Sequence, residues 1–290
     1  MKAGVYDGLS NAQYHGGPGD SKSGLDLIHR SPLHYKAARD ARESGEEREE
    51  TAAQRLGTAL HALVLEPEVF AANYVVAPKV DRRTKDGKAT WEAFQAANEG
   101  KEYLTDAELD QLQAMDASVH AHPAASALLF GAEGVAERSA YWIDEKTGLL
   151  CRCRPDFWRH DGIVVDLKST EDAAQEAFSR SVANWRYYVQ HPFYLDGCAE
   201  AIRQAKLKIL PPAAFAFVVV EKKAPYAVAV YVLDPASVEL GRLEYRHDLD
   251  RLAHARKTGI WPGYGDAVQT IGVPQWHLAK NASVFAEAAA

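Results

Sequence analysis

The apolar run Ile163-Val164-Val165 ends in Asp166-Leu167-Lys168-Ser169-Thr170, and this junction constrains the 290-residue chain more than any other feature. Three branched aliphatic residues in a row favour a buried strand. Side chains alternate along a strand, so Asp166 and Lys168 share one face while Leu167 points to the other. The preceding β-rich run carries Arg154-Pro155-Asp156, and the connection through Arg159 to Gly162 is short enough to bring Asp156 beside Asp166. Two carboxylates and an ammonium therefore converge. Carboxylates suit Mg²⁺ or Mn²⁺, which keep waters and bind phosphate oxygens, better than they suit a structural zinc. Lys168 is placed to orient or help deprotonate an attacking water and to offset charge building on a phosphate. A lone Asp-x-Lys more often marks a hairpin whose surface acids pair with the lysine. Here a Pro-Asp on one run, an apolar run before the second acid and a helix after it favour the ion site.

The rest of the chain places this junction in an alternating architecture. Ser21-Lys22-Ser23 before Leu25, Leu27 and Ile28 predicts a hydroxyl-capped helix ending before Pro32, with a second short helix from Leu33. Residues 51–65 carry Leu56, Leu60, Leu63 and Val64 at helical spacing with Pro67 just beyond, the pattern of a buried helix. Residues 79–90 read as a basic, glycine-containing loop. Residues 105–129 read as helical, with Thr105 and Glu108 in capping-box spacing and Pro123 as a break. Residues 135–143, 149–158 and 162–167 are β-rich and predict a meander. Helices over 171–186 and 190–205, strands over 213–220 and 226–233, and a long helix over 235–257 follow. This order predicts a mixed sheet flanked by helices, with the helical N-terminal part packed against it. The charged run 39–50 and the Ala-rich tail after Phe285 read as solvated.

A content of 47% hydrophobic and 25% charged residues is enough to build a core without staples, and one decorated α/β domain is the expectation. No run approaches the roughly 18 apolar residues of a membrane span. The opening MKAGVYDGLS lacks the apolar segment of a secretory signal, so a cytoplasmic protein with no membrane partner is expected. Cys151, Cys153 and Cys198 form neither a disulfide framework nor a zinc pattern and read as reduced core residues. A net charge of −7 argues against coating nucleic acid through a global positive field. It leaves room for a local basic groove, because carboxylates gathered around an ion add to the negative sum.

Pro155-Asp156 followed by Asp166-Leu167-Lys168 resembles the PD-(D/E)xK nuclease signature. Within Gly57-Thr58-Ala59-Leu60-His61, His61 resembles the extra metal ligand of RecB-like and RecE-like exonucleases; a satisfied core histidine is the alternative. Gln190-x-x-x-Tyr194 resembles the Q-x-x-x-Y feature of the same enzymes, and its spacing puts both residues on one helical face. From there they would contact DNA phosphates or a metal-bound water. Pro192 between them is comfortable only in a first turn, so the helix either begins near Gln190 or starts earlier and kinks at Pro192, which would change the aim of Gln190. Glu137 resembles an acid these nucleases place near the metal, and reads equally well as a strand-edge surface charge.

Tyr14-His15, Ser21-Lys22-Ser23-Gly24-Leu25 and Ser31-Pro32-Leu33-His34-Tyr35 extend the likeness to the N-terminal region of the RecE-type (exodeoxyribonuclease VIII) branch. The resemblance implies a restriction-endonuclease-like mixed β-sheet core flanked by helices. It implies one exonuclease domain over residues 1–290, mainly helical to 130, an α/β core over 131–258 and a tail over 259–290. His61, Asp156, Asp166 and the backbone carbonyl of Leu167 would bind Mg²⁺ or Mn²⁺, within a catalytic set of Asp156, Asp166, Lys168, Gln190, Tyr194 and Glu137. Ser21 and Ser23, at a helix start, would receive a terminal phosphate together with Arg154, or Ser21 simply caps the helix. The implied substrate is double-stranded DNA digested from a 5′ end, with a single-strand annealing protein as partner and a homo-oligomeric ring as the assembly. A structure-specific endonuclease with the same ion site and a catalytically silent DNA-binding recombination protein are the competing readings. Aromatics in 259–264 and 274–276 either stack on bases or pin the tail to the core, the second being favoured.

Overall fold

The computed structural model describes residues 1–46 and 50–282, so part of the charged run and the Ala-rich tail lie outside the described residues. The chain opens with β1 (Gly4–Tyr6), α1 (Asn11–Gly16), α2 (Lys22–Arg30), α3 (Pro32–Glu43), α4 (Ala52–Leu65) and α5 (Pro67–Asn73). β2 (Tyr74–Val76), α6 (Lys85–Ala97), β3 (Glu102–Leu104), α7 (Asp106–Ala121) and α8 (Pro123–Leu129) follow. Local chemistry sets many of these boundaries. Thr51 and Gln54 cap α4 reciprocally, as Thr105 and Glu108 cap α7, and Pro123 opens α8. Ser21 precedes α2 but makes no capping bond; its hydroxyl lies 2.9 Å from that of Ser23. The expected loop over 79–90 is also corrected, because α6 begins within it. Thr84 caps Gly87, and a Cβ at Gly87 would stand 2.0 Å from the Asp81 carbonyl. That glycine admits the preceding loop across the first helical turn and does not break the helix.

β4 (Gly134–Ala136), β5 (Ser139–Ile143), β6 (Leu150–Cys153), β7 (Phe157–Arg159) and β8 (Ile163–Thr170) come next. α9 (Gln175–Asn184), α10 (Tyr187–Ala205), β9 (Ala214–Glu221), β10 (Val228–Tyr231), α11 (Pro235–Thr258) and α12 (Gln275–Lys280) complete the order. A five-stranded sheet runs β10-β9-β8-β7-β4, with β8 and β9 parallel, and a three-stranded sheet runs β1-β5-β6. The expected meander is therefore split: the runs 135–143 and 149–158 each break once and change sheet. The N-terminal part is woven into the core as well as packed on it, since β1 pairs with β5.

Both faces of the larger sheet are buried, so its central strands read as near-continuous apolar runs. Val164, Phe215, Phe217 and Val219 face a core completed by Val189, Phe193 and Leu249 of α10 and α11. Val165, Leu167, Val218 and Val220 face Leu60, Val64, Leu112 and Met115 of α4 and α7. Each fully buried side chain of this size contributes roughly 1.5–3 kcal/mol, which fixes the register of β8 and with it the faces taken by Asp166 and Lys168.

α10 starts at Tyr187, not at Gln190, after Arg186 in a left-handed conformation with φ 52°. Pro192 thus lies beyond the first turn and leaves the Tyr188 carbonyl without its helical donor. α11 closes on that spot: a Cβ at Gly241 would lie 1.9 Å from the Tyr188 oxygen. The tail aromatics pin rather than dangle where they follow α11. Trp261 stacks on Tyr35 at 6.0 Å, and the Tyr264 hydroxyl accepts from Arg30 Nε at 2.9 Å, whereas Trp276 is exposed. Among the described residues, no helix is long and apolar enough to cross a membrane.

Candidate active site

The site forms where the strands are interrupted. Ala136 opposes Phe157 and Ala140 opposes Cys153, so one hairpin register runs through the break shared by the two sheets. Within that break Glu137 takes a left-handed conformation, φ 51°, and donates its N–H to the Asp156 carbonyl at 2.9 Å. Such a conformation in a non-glycine residue costs about 1–3 kcal/mol, and here it carries Glu137 to the fork beside Asp156. The β7–β8 pairing of Phe157 with Val165 points Asp156 toward Asp166. The Leu167 N–H donates to Asp156 Oδ2 at 2.7 Å, so a carboxylate ends the ladder where a strand carbonyl would have continued it.

α4 packs Leu60 and Val64 against Val165 and Leu167, and this brings His61 to the end of the same strand. His61 Nε2 lies 2.8 Å from the Leu167 carbonyl oxygen. Its Nδ1 lies 3.7 Å from Asp156 Oδ2 and 3.8 Å from Glu137 Oε1. One ligand atom from each of His61, Glu137 and Asp156 falls within 4.8 Å of the others. Asp166 stands on the opposite face of β8 from Leu167 and is completely buried. Gln190 Nε2 donates to Asp166 Oδ1 at 2.5 Å, and the Lys168 ammonium contacts Oδ2, which has no other hydrogen-bond partner among the described residues.

Charge inside this group is tightly balanced. Burial, with Asp156 adding to it, pushes Asp166 up to about 6 against the pull of Lys168 and His61. Burial also raises Asp156, opposed by His61 and Lys168. For His61, burial disfavours the charged ring, but Asp156 and Glu137 outweigh it and raise the group to about 9. Burial opposes the Lys168 ammonium too, and Asp166 and Asp156 hold it above the ordinary lysine value nonetheless.

A cavity of about 920 Å³ opens on His61, Glu137 and Asp156 and is also lined by Tyr14, Arg154 and Tyr194. Arg154 commits most of its donors to the fold, to Ser139 Oγ at 3.0 Å, Asn11 Oδ1 at 2.9 Å and the Leu9 carbonyl at 2.8 Å. It therefore offers the cavity charge more than free N–H groups. Ser21 and Ser23 line a second cavity of about 1120 Å³ with Arg39, Arg42 and Arg256. His15 borders both cavities. The structure thus gathers His61, Glu137, Asp156, Asp166, Leu167, Lys168 and Gln190, sets Tyr194 and Arg154 on the adjoining wall, and leaves Ser21 and Ser23 in the neighbouring cavity. Gln190 is turned to Asp166 and not outward to the cavity. Two contacts went unread in the sequence: Lys168 lies 4.9 Å from the ring centre of Tyr187, and Lys22 lies 5.8 Å from the same centre. The signals were slight, an aromatic one turn before Gln190 and a lysine between two serines.

A strand fork carrying Pro-Asp, followed by a buried strand ending in Asp-x-Lys, defines a PD-(D/E)xK-type α/β domain. The chain belongs to the family described as PDDEXK-like domain of unknown function (DUF3799), whose model matches residues 21–272. A crystal structure described as that of a "Putative exonuclease" from Eubacterium rectale shares the fold, with a TM-score of 0.56 over 94% of this chain and 98% of that one, at 13% identity. No curated protein matches the sequence. Family and fold agree on a PDDEXK-like domain, and the acid and histidine cluster is a site of the kind that holds a divalent ion.

Proposed function

We propose that this protein is a metal-dependent DNA nuclease, and within that class a RecE-type exonuclease that digests linear duplex DNA from a 5′ end. The observation that carries the reading is the meeting of His61, Glu137, Asp156 and the Leu167 carbonyl at one point, with Lys168 beside Asp166. One imidazole, carboxylates and a carbonyl fit a hard divalent cation such as Mg²⁺ or Mn²⁺. The buried Asp166 carboxylate, whose Oδ2 meets the Lys168 ammonium, adds a second acid beside Asp156 to the same assignment. In this reading His61, Asp156, Asp166 and the Leu167 carbonyl hold the ion and Glu137 joins them. A divalent ion bound there supplies a water of lowered pKa and a Lewis acid for the scissile phosphate.

The protein's own groups do the rest. The Lys168 ammonium offsets negative charge developing on the phosphate. Gln190 fixes the orientation of Asp166, and the Tyr194 phenol borders the cavity in which the phosphate would lie. Ser21 and Ser23, with Arg39 and Arg42, receive the terminal phosphate in the second cavity. The exonuclease reading is supported by the N-terminal likeness to the RecE branch and by the description of the Eubacterium rectale structure. A ring-shaped homo-oligomer and an annealing partner in phage-type recombination belong to the same proposal and rest on that likeness.

The test is digestion of linear duplex DNA labelled separately at its 5′ and 3′ ends, beside a covalently closed circle, in Mg²⁺ and in EDTA. Metal-dependent release of the 5′ label from linear DNA, with the circle intact, is the expected result. Cutting of the circle points to an endonuclease, and cleavage of neither points to a DNA-binding protein without catalysis.

A further inference from the structure

We propose that Tyr187 is the positioning residue for Lys168: its ring seats the ammonium beside Asp166, and Lys22 holds the ring in place. The inference rests on the nuclease reading for its activity readout only. Among the described residues Lys168 pairs with one carboxylate, that of Asp166, and its ammonium lies 4.9 Å from the centre of the Tyr187 ring. Both lysines lie within the roughly 6 Å over which an ammonium is attracted to an aromatic face. Away from water that attraction is strongest, and Lys168 and Lys22 are only 18% and 13% exposed.

The ring is fixed by everything around it. Its neighbours are Phe178 at 6.1 Å and Phe217 at 5.9 Å between ring centres. Arg186, the left-handed residue just before it, is bonded to Asp26 at 3.0 Å and to Asp248 at 2.7 Å, tying the start of α10 to α2 and α11. Lys22 pairs with Asp26 at 2.8 Å and donates to the Trp185 carbonyl, so the same turn is gripped on the side of α2. The Tyr187 hydroxyl makes no hydrogen bond among the described residues, which leaves the ring as the working part.

A flexible lysine stem has many rotamers, and a strand that ends in Asp-x-Lys does not by itself choose one. Asp166 alone permits the ammonium to pivot about the carboxylate. The ring removes that freedom on one side and so keeps the ammonium at Asp166.

The experiment compares Tyr187→Phe, Tyr187→Leu and Lys22→Met with the wild type. Each is checked by thermal melting and read in two ways. With lysine labelled by ¹³C, the ε-methylene signal absent from Lys168→Arg reports the ring current on Lys168 whether or not the protein cleaves DNA. Its upfield shift is expected to persist in Tyr187→Phe, to vanish in Tyr187→Leu and to shrink in Lys22→Met. In the digestion assay, kcat is expected to stay within about twofold for Tyr187→Phe and to fall about tenfold for Tyr187→Leu with KM unchanged. An unshifted Lys168 signal in the wild type, or a Phe variant as impaired as the Leu variant, overturns the proposal. A shifted signal in a protein that cleaves no DNA overturns the nuclease reading alone.

Discussion

Glu137 donates its backbone N–H to the carbonyl of Asp156 at 2.9 Å, and these opposed residues mark the place where one hairpin leaves the three-stranded sheet and enters the five-stranded one. Their side chains emerge next to His61 because the ladder is interrupted there. The fork is thus both a solution to joining two twisted sheets and the means by which two acids distant in sequence come to share a site.

If Glu137 is a ligand rather than a surface charge, Glu137→Gln keeps the backbone bond and the left-handed turn while removing a negative oxygen. Affinity for Mn²⁺, followed by titration calorimetry, is expected to fall at least tenfold with the melting temperature little changed. An unaltered affinity assigns the ion to other groups.

Lys168→Ala is expected to fold and to bind DNA while losing cleavage by a factor of about 10² or more. Asp166, already raised to about 6, can take up a proton when its partner goes, so the fold escapes an uncompensated buried charge. Anisotropy of labelled DNA in Ca²⁺ and digestion in Mg²⁺ separate the two effects, and a fully active variant removes Lys168 from the mechanism.

In EDTA the protein is expected to lose stability as pH rises from about 6.5 to about 9. The His61 ring is raised in the folded state from 6.5 to about 9, so between those values the native protein holds a proton that the unfolded chain has released. Stabilisation from the charged ring is complete below the lower value and lost through the upper one. With the ring 28% exposed, the loss is on the order of 2 kcal/mol after allowance for solvent screening. His61→Gln should flatten urea midpoints across this range, and a slope unchanged in that variant would point to another group.

Gly241→Ala puts a methyl group 1.9 Å from the Tyr188 carbonyl oxygen. Either α11 must move off α10 or the backbone must bend, at a cost of about 2–3 kcal/mol. A lowered urea midpoint with unchanged cooperativity is the expected outcome, whereas a neutral effect would show that the contact between the helices is loose.

Much of this was readable in one dimension, for reasons that can be named. Period-two alternation placed Asp166 and Lys168 on one face of β8, and the short link through Gly162 placed Asp156 opposite, because strand geometry leaves little choice. Capping chemistry gave the starts of α4 and α7, since Thr51 and Thr105 act within a few residues of themselves. Where a local signal had two causes, the reading failed. Gly87 looked like a loop former but fits beneath a neighbouring carbonyl, and Pro192 looked like a helix start but sits inside α10, where Gly241 of another helix packs on the Tyr188 carbonyl.

What the sequence determined by itself was the strand that presents Asp166 and Lys168 on one face and the short link that brings Asp156 beside them, because these follow from spacing and residue type. Only the tertiary structure decided that Glu137 belongs with His61 and Asp156, that Gln190 is held by Asp166, that Arg154 is largely occupied by the fold, and that Tyr187 and Lys22 flank the site. Those facts depend on a break in a hairpin, the packing of α4 and α10 on opposite faces of one sheet, and an Arg186 turn fixed by acids from two other helices. Contacts of that range are set by the packing of whole elements, which no local spacing records.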